Sequence, residues 1–276
     1  MPKLDLRTFQ GELVVVAPHM DDEALACGGL ISSLPDKDCV HIIYATDGMR
    51  SPAPIIPGRD QIRPDLGEIR MQESRKAMQL LGIPEQNLHF LGLPEAELQK
   101  NIELLRDLLR QCIAQFNPSF VLVPFRYDRH PDHLAINHVV AAAVQDGTIH
   151  AKLAEYFVYY RWRLLPKGDI RKYVRSEILH SLSLDEVASR KRQALASFAS
   201  QTTIYYPWQT RPILTSTLLD EECQNPEQFL ISSDSLFGPS VFTGLVSWIR
   251  IAHRLEPFLQ RWKYHLGAFG KRVFRL

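Results

Sequence analysis

Two short clusters in this chain carry residues able to do acid–base and metal chemistry. The first is His19, Asp21, Asp22 and Glu23, four ionisable groups within five positions. The second is His130, Asp132 and His133, closing the run Phe-Arg-Tyr-Asp-Arg-His-Pro-Asp-His. Carboxylates and imidazoles packed together repel or lose solvation unless a cation compensates. A divalent metal is the compact way to supply one. Two histidine nitrogens and one carboxylate oxygen make a familiar catalytic zinc set with a further position left for water. Such an ion lowers the pKa of water from about 15.7 to about 7. A carboxylate that is not a ligand can then take the water's proton.

Both clusters follow apolar runs that read as buried strands. Leu-Val-Val-Val-Ala at 13–17 is stopped by Pro18, and Phe-Val-Leu-Val at 120–123 is stopped by Pro124. Between them the periodicity predicts a helix at 24–33 holding the pair Gly28-Gly29, whose small size would let it lie close to the sheet. A strand at 40–45 ends in the turn Thr46-Asp47-Gly48. A helix at 67–81 is closed by Gly82 and Pro84. A strand is expected at 88–91, a long helix at 95–116, a helix from about 132 to 145 with Pro131 near its first turn, and a fifth strand at 156–160. Residues 49–66 read as an irregular loop with four prolines and Arg50, Arg59 and Arg63 among them. Beyond 161 the pattern weakens. A strand at 174–179 and a helix at 184–200 are expected, with 201–245 rich in loops.

Strands alternating with helices imply an α/β fold, Rossmann-like and doubly wound, with a mostly parallel sheet ordered 3-2-1-4-5 and a C-terminal extension. Strands 1 and 4 are neighbours in that order, and ligands bind beyond their carboxyl ends. The topology therefore sets His19, Asp21 and Asp22 opposite His130 and His133. Expected domains are residues 1–245, carrying the metal-dependent site, and a basic amphipathic segment at 246–276.

The 276 residues carry a formal net charge of +1, which gives no reason to expect nucleic acid as a partner. Cys27, Cys39, Cys112 and Cys223 are far apart with no C-x-x-C pattern, so a zinc ribbon or redox motif is not expected. No run of about 18 apolar residues occurs, and the N-terminus lacks the apolar core of a signal peptide. A cytoplasmic protein is the expectation. From Arg250 to Arg275 seven Lys/Arg face one acid, Glu256, and alternate with apolar residues. Such a segment can touch a membrane surface peripherally, although more often it packs on its own domain.

Pro-His-Met-Asp-Asp-Glu followed by His-Pro-Asp-His resembles the PIG-L/LmbE family of zinc-dependent N-deacetylases. Thr46-Asp47-Gly48, Arg70-x-x-Glu73 with Ala77 and Leu81-Gly82, and Leu91-Gly92-Leu93-Pro94 belong to the same resemblance, which covers about residues 11–160. Met20 stands where the family's first motif has proline. The resemblance implies that His19, Asp22 and His133 bind the metal, a zinc ion or another divalent cation such as Fe2+. It implies that Asp21 is the general base and that His130 stabilises the tetrahedral intermediate or protonates the leaving amine. Arg70 resembles a substrate-binding position, and Asp47 and Arg50 are taken with it as substrate candidates. Asp132 is expected to orient a ligand imidazole. The family often has tyrosine two residues before the first histidine of His-Pro-Asp-His, and this chain has Asp128 there beside Tyr127.

The function this implies is removal of an N-acetyl group from an amino-sugar substrate of the N-acetylglucosamine type, a small conjugate or glycan precursor. Two other readings stay open on the sequence: a metal-dependent amidase acting on a non-sugar amide, and a sugar-binding protein of the same fold without turnover. The sequence names neither the substrate nor an oligomeric state.

Overall fold

The computed structural model describes residues 1–52, 65–207, 209–231, 236–237, 244–253 and 255. The chain forms two compact units, Met1–Val158 with Ser176–Ser232, and Tyr159–Arg175 with Ser233–Leu276. The boundary expected at residue 245 falls inside the second unit. Most of the expected segment 246–276, and the loop from 53 to 64, lie outside the described residues.

The first unit is built on a seven-stranded sheet. Its strands are β1 (Leu13–Ala17), β2 (Val40–Thr46), β3 (Leu88–Leu93), β4 (Phe120–Pro124), β5 (Lys152–Tyr156), β6 (Leu179–Leu182) and β7 (Glu227–Leu230). Their order is β3-β2-β1-β4-β5-β7-β6. The first five are parallel in the expected order 3-2-1-4-5, and β7 and β6 add an antiparallel edge. Every residue of β1 is buried because both faces are covered. Val14 and Val16 enter the core with Leu105, Leu109, Ile136 and Val140, from α3 (Ile102–Ala114) and α4 (Pro131–Gln145). Leu13, Val15 and Ala17 point the other way, into the core shared by α1 (Asp22–Ser33), α2 (Leu66–Leu81) and α5 (Ala188–Leu195).

The elements differ from expectation where tertiary contacts act. The fifth strand lies earlier than 156–160, because the chain leaves α4 through Gly147 at φ +78° and pairs at once, Phe120 with Lys152. The long helix expected at 95–116 begins as a 3₁₀ turn at Leu98–Asn101, where Asp132 accepts the Leu98 N–H at 3.1 Å. The helix expected at 184–200 is interrupted at the buried, non-helical Phe198, and α6 (Ala199–Thr202) follows. The expected strand at 174–179 is replaced by β6. The region expected to be loops holds α7 (Ser216–Gln224), capped by the Thr215 hydroxyl, and β7.

The Gly28-Gly29 pair makes room for other side chains, not for the sheet itself. A Cβ on Gly28 would meet Lys191 Cγ at 3.1 Å, and one on Gly29 would meet Leu184 Cδ2 at 2.1 Å. Glu227 accepts from the Gly29 N–H at 2.6 Å and the Leu30 N–H at 2.8 Å. Lys191 Nζ donates to the Leu25 carbonyl at 2.7 Å and to Glu227 at 2.8 Å. A fully buried ion pair thus enters the middle of α1 and fastens α5 and β7 to it.

In the second unit, Trp162 is buried and meets His253 edge to face at 4.6 Å. A 3₁₀ turn at Ile170–Tyr173 and a helix at 245–253 are its regular elements among the described residues.

Removing one member of a buried pair strands its partner. Lys191→Met should therefore lower stability by about 3–5 kcal/mol, seen as a fall in the urea midpoint with unchanged slope. Lys191→Met combined with Glu227→Gln should recover part of that loss. An unchanged midpoint in Lys191→Met would show that the pair does not hold α1.

Candidate metal centre

β1 and β4 are adjacent, with Leu13 opposite Phe120 and Val15 opposite Leu122, so the loops after them share one crevice. The loop after β1 is pinned at Pro18, whose carbonyl accepts from the Thr46 N–H at 3.1 Å and the Thr46 hydroxyl at 2.8 Å. His19 then turns inward, with its own N–H held by Asp22 Oδ2 at 2.9 Å. After β4, Pro131 opens α4, and His130 caps it by accepting the Asp132 N–H on Nδ1 at 3.2 Å.

The structure brings His19, Asp22 and His133 together. Asp22 Oδ2 lies 3.1 Å from His19 Nδ1 and 3.2 Å from His133 Nε2, and those two nitrogens are 3.3 Å apart. The outer nitrogen of each ring meets a carboxylate: His19 Nε2 faces Asp132 Oδ2 at 3.2 Å, and His133 Nδ1 faces Asp128 Oδ2 at 3.2 Å. A neutral imidazole has one N–H. With that proton directed at the outer carboxylate, its inner nitrogen is a lone pair. In those neutral tautomers two nitrogen lone pairs and a carboxylate oxygen converge at about hydrogen-bond separation, a donor set suited to a cation; without one, the raised pKa of His133 puts a proton between its ring and Asp22. A tetrahedral zinc ion with ligands at about 2.0–2.1 Å separates their atoms by about 3.3 Å. The three measured edges fit such an ion.

His19, His130 and His133 also offer nitrogens within 4.8 Å of one another. The two sets differ in their third member. Asp22 is the better third, because its oxygen is within 3.2 Å of both other donors and brings the negative charge a cation requires. His130 stands beside the triangle, its ring 4.6 Å from His19 and nearly perpendicular to it. Its Nδ1 already accepts a backbone N–H, so the neutral ring carries its proton on Nε2 and is a donor there.

The electrostatics follow from burial and from these contacts. Burial pushes the Asp21 carboxyl up to about 7, against the pull of Arg70. Burial and the neighbouring Asp21 charge push Glu23 up to about 8. Burial, with the charges of His19 and His133, holds His130 down to about 3. His133 is raised to about 9, since the Asp128 and Asp22 carboxylates outweigh its burial. Asp22 goes down despite burial, because His133 and His19 flank it. Two adjacent aspartates are thus driven in opposite directions by their surroundings.

Asp21 has φ +153°, a region that L residues rarely adopt. Its N–H donates to Glu23 Oε2 at 3.1 Å, and Glu23 is held in turn by the Tyr44 hydroxyl at 3.1 Å. Arg70, fully buried on α2, donates to the Met20 carbonyl at 2.9 Å and lies 3.6 Å from both Asp21 Oδ2 and Glu95 Oε2. It does not pair with Glu73, which accepts from Ser200. Asp47 Oδ1 accepts from the N–H groups of Met49 and Glu95 at 3.1 and 3.2 Å. The Arg50 guanidinium pairs with Glu97 at 2.5 Å, and the Arg50 backbone N–H donates to Glu95 Oε2 at 2.7 Å. Of the three substrate candidates, Arg70 is the one whose contacts reach Asp21.

Glu95 was not singled out from the sequence, although an acid two residues past the carboxyl end of a parallel strand stands where such sheets place function. Asp128 was read only as a departure from a motif. Its role shows in its contacts: one oxygen on His133, the other accepting the His130 N–H at 2.9 Å.

The family model described as PIG-L, GlcNAc-PI de-N-acetylase, matches residues 14–144. A probable N-acetyl-alpha-D-glucosaminyl L-malate deacetylase 2 of Bacillus cereus is 31% identical over 143 residues, 49% of this chain and 62% of that protein. A diacetylchitobiose deacetylase of Thermococcus kodakarensis is 27% identical over 127 residues, 44% of this chain and 45% of that protein. These matches span about half of each relative's length. Among solved structures, the N,N'-diacetylchitobiose deacetylase of Pyrococcus horikoshii shares the fold, with a TM-score of 0.59 at 18% identity over 88% of this chain and 92% of that one.

Asp128→Asn keeps an acceptor for the His130 N–H but replaces the carboxylate facing His133. Loss of such an outer partner typically costs about 10–100-fold in metal affinity. Competition against a chromogenic chelator should show a weakening of that size in Asp128→Asn. Unchanged zinc affinity would remove Asp128 from the centre.

Proposed function

We propose that the protein is a metal-dependent hydrolase removing the acetyl group from an N-acetylglucosamine-type amide, a reading supported by the match of residues 14–144 to the PIG-L, GlcNAc-PI de-N-acetylase family model. The observation that carries this reading is the triangle of His19, Asp22 and His133 with a second aspartate, Asp21, beside it and outside it. The two relatives named as deacetylases of amino sugars support the substrate class, a small amino-sugar conjugate or glycan precursor.

His19 Nδ1, His133 Nε2 and Asp22 Oδ2 would hold the ion, with zinc favoured by the nitrogen–oxygen donor set and Fe2+ as the other candidate. Bound there, a divalent cation polarises the amide carbonyl and makes water a better nucleophile at neutral pH. Asp21 takes the proton of the attacking water. Its carboxyl stands near 7 through burial, and a cation beside it would favour the ionised, accepting form. His130 presents its Nε2–H to the carbonyl oxygen as that oxygen gains charge, a role for a neutral donor rather than an acid. The proton held by Asp21 is then available to the leaving nitrogen. The carbon–nitrogen bond breaks, and acetate and a free amino sugar result. Arg70 touches Asp21 and the Met20 carbonyl, so it sets the position of the base.

The two adjacent aspartates separate this reading from others. Asp22→Ala should lose metal and turnover together. Asp21→Ala should keep near-stoichiometric metal and lose roughly 10²–10⁴-fold in rate, mainly in kcat. Elemental analysis and acetate release from N-acetylglucosamine conjugates are the measurements. Loss of metal in Asp21→Ala with retention in Asp22→Ala would reverse the roles. Bound metal with no acetate release from any amino-sugar amide would leave a binding protein.

A further inference from the structure

The net charge of +1 conceals a separation of charge between the two units. Tyr159–Arg175 and Ser233–Leu276 hold 13 of the 32 Lys/Arg residues and 3 of the 31 Asp/Glu residues, a net +10. The rest of the chain holds the other 19 and 28, a net −9. Within 159–175 the one acid, Asp169, is already engaged by Arg171 at 2.8 Å. Arg161, Arg163, Lys167 and Lys172 are exposed there.

The same unit exposes apolar side chains in a pattern. Along 245–255, Leu245, Ile249 and Ala252 are buried, whereas Trp248, Ile251 and Leu255 are 40%, 46% and 47% exposed. The exposed three are spaced i, i+3, i+7, so they form one stripe on one helix face. Arg250 is exposed between them. The Trp248 indole N–H donates to the Leu164 carbonyl at 2.7 Å, which ties this stripe to the basic segment 159–175. No helix among the described residues is long and apolar enough to cross a membrane.

We propose that the second unit docks on the surface of an anionic phospholipid membrane, with Trp248, Ile251 and Leu255 entering the headgroup boundary and the surrounding cations on the phosphates. Charge complementarity and the apolar stripe argue for this together. A nucleic acid would engage the cations but gives Ile251 and Leu255 nothing to bury against, whereas an acyl boundary accepts them.

The test is flotation of the full-length protein with vesicles of phosphatidylcholine alone or mixed with phosphatidylglycerol, at low and high salt, with single-stranded RNA as a separate ligand. The expected result is binding to the anionic vesicles only, weakened by salt. Lys172→Gln with Arg250→Gln should weaken partitioning about 30-fold, at about 1 kcal/mol for each cation removed. Ile251→Glu should reduce binding while leaving the melting temperature unchanged, because its side chain is exposed. Equal binding to both vesicle types, binding to RNA without binding to vesicles, or a lower melting temperature in Ile251→Glu, as expected if the chain itself covered the stripe, would each overturn the proposal.

Discussion

Three donor atoms from His19, Asp22 and His133 are held 3.1–3.3 Å apart in a buried crevice, and much of the surrounding structure serves that arrangement. Such a set converges only if each ring is oriented, and each is held from behind. Asp132 and Asp128 do this through the outer nitrogens, and both carboxylates have further backbone duties. Asp132 also accepts from the Ala96 and Leu98 N–H groups at 2.7 and 3.1 Å, which carries the loop after β3 to the site. Asp128 also accepts from the His130 N–H. The carboxylates that fix the rings are therefore the ones that shape the loops. The site and the carboxyl end of the sheet form one hydrogen-bonded structure.

What could be read from the sequence was what depends on local pattern. Strands β1 and β4 are short, wholly apolar and stopped by prolines, and the clusters follow them directly. Adjacency of those strands is a rule of doubly wound sheets, so the meeting of His19 with His133 across 114 positions was legible without a structure. The antiparallel edge was not. β6 and β7 have four residues each, too few to show a period, and β7 begins on a buried glutamate. Glu227 reads as a surface residue until Lys191 and the two α1 amides are seen around its carboxylate. Gly28-Gly29 was legible as a place of close approach, but not what approaches.

Arg70 shows the same limit at the site. Its type and place were legible, and its role was not. A buried guanidinium that donates to the Met20 and Gly48 carbonyls and faces Asp21 and Glu95 acts first on the protein itself. Asp47 likewise turns its carboxylate to the Met49 and Glu95 amides. Residues drawn from a motif as substrate contacts here hold the protein's own groups in place.

Met20 brings these threads together. A proline at this position would stiffen the loop through its own ring, fixing φ. Methionine cannot do so, and the loop is stiffened from outside. Arg70 holds the Met20 carbonyl, Glu23 holds the Asp21 N–H, and the side chain itself is fully buried. That burial depends on Gly48. A Cβ there would lie 2.6 Å from Met20 Cε and 3.1 Å from Arg70 Cδ, and the residue's φ of +68° already favours glycine. The methionine thus occupies space that the turn after β2 leaves open, and the guanidinium passes through the same gap. Local rigidity lost at one residue is replaced by packing among three, which couples the unusual backbone of Asp21 to the loops after β1 and β2 and to α2. A change in any of them would be felt first at the Asp21 carboxylate.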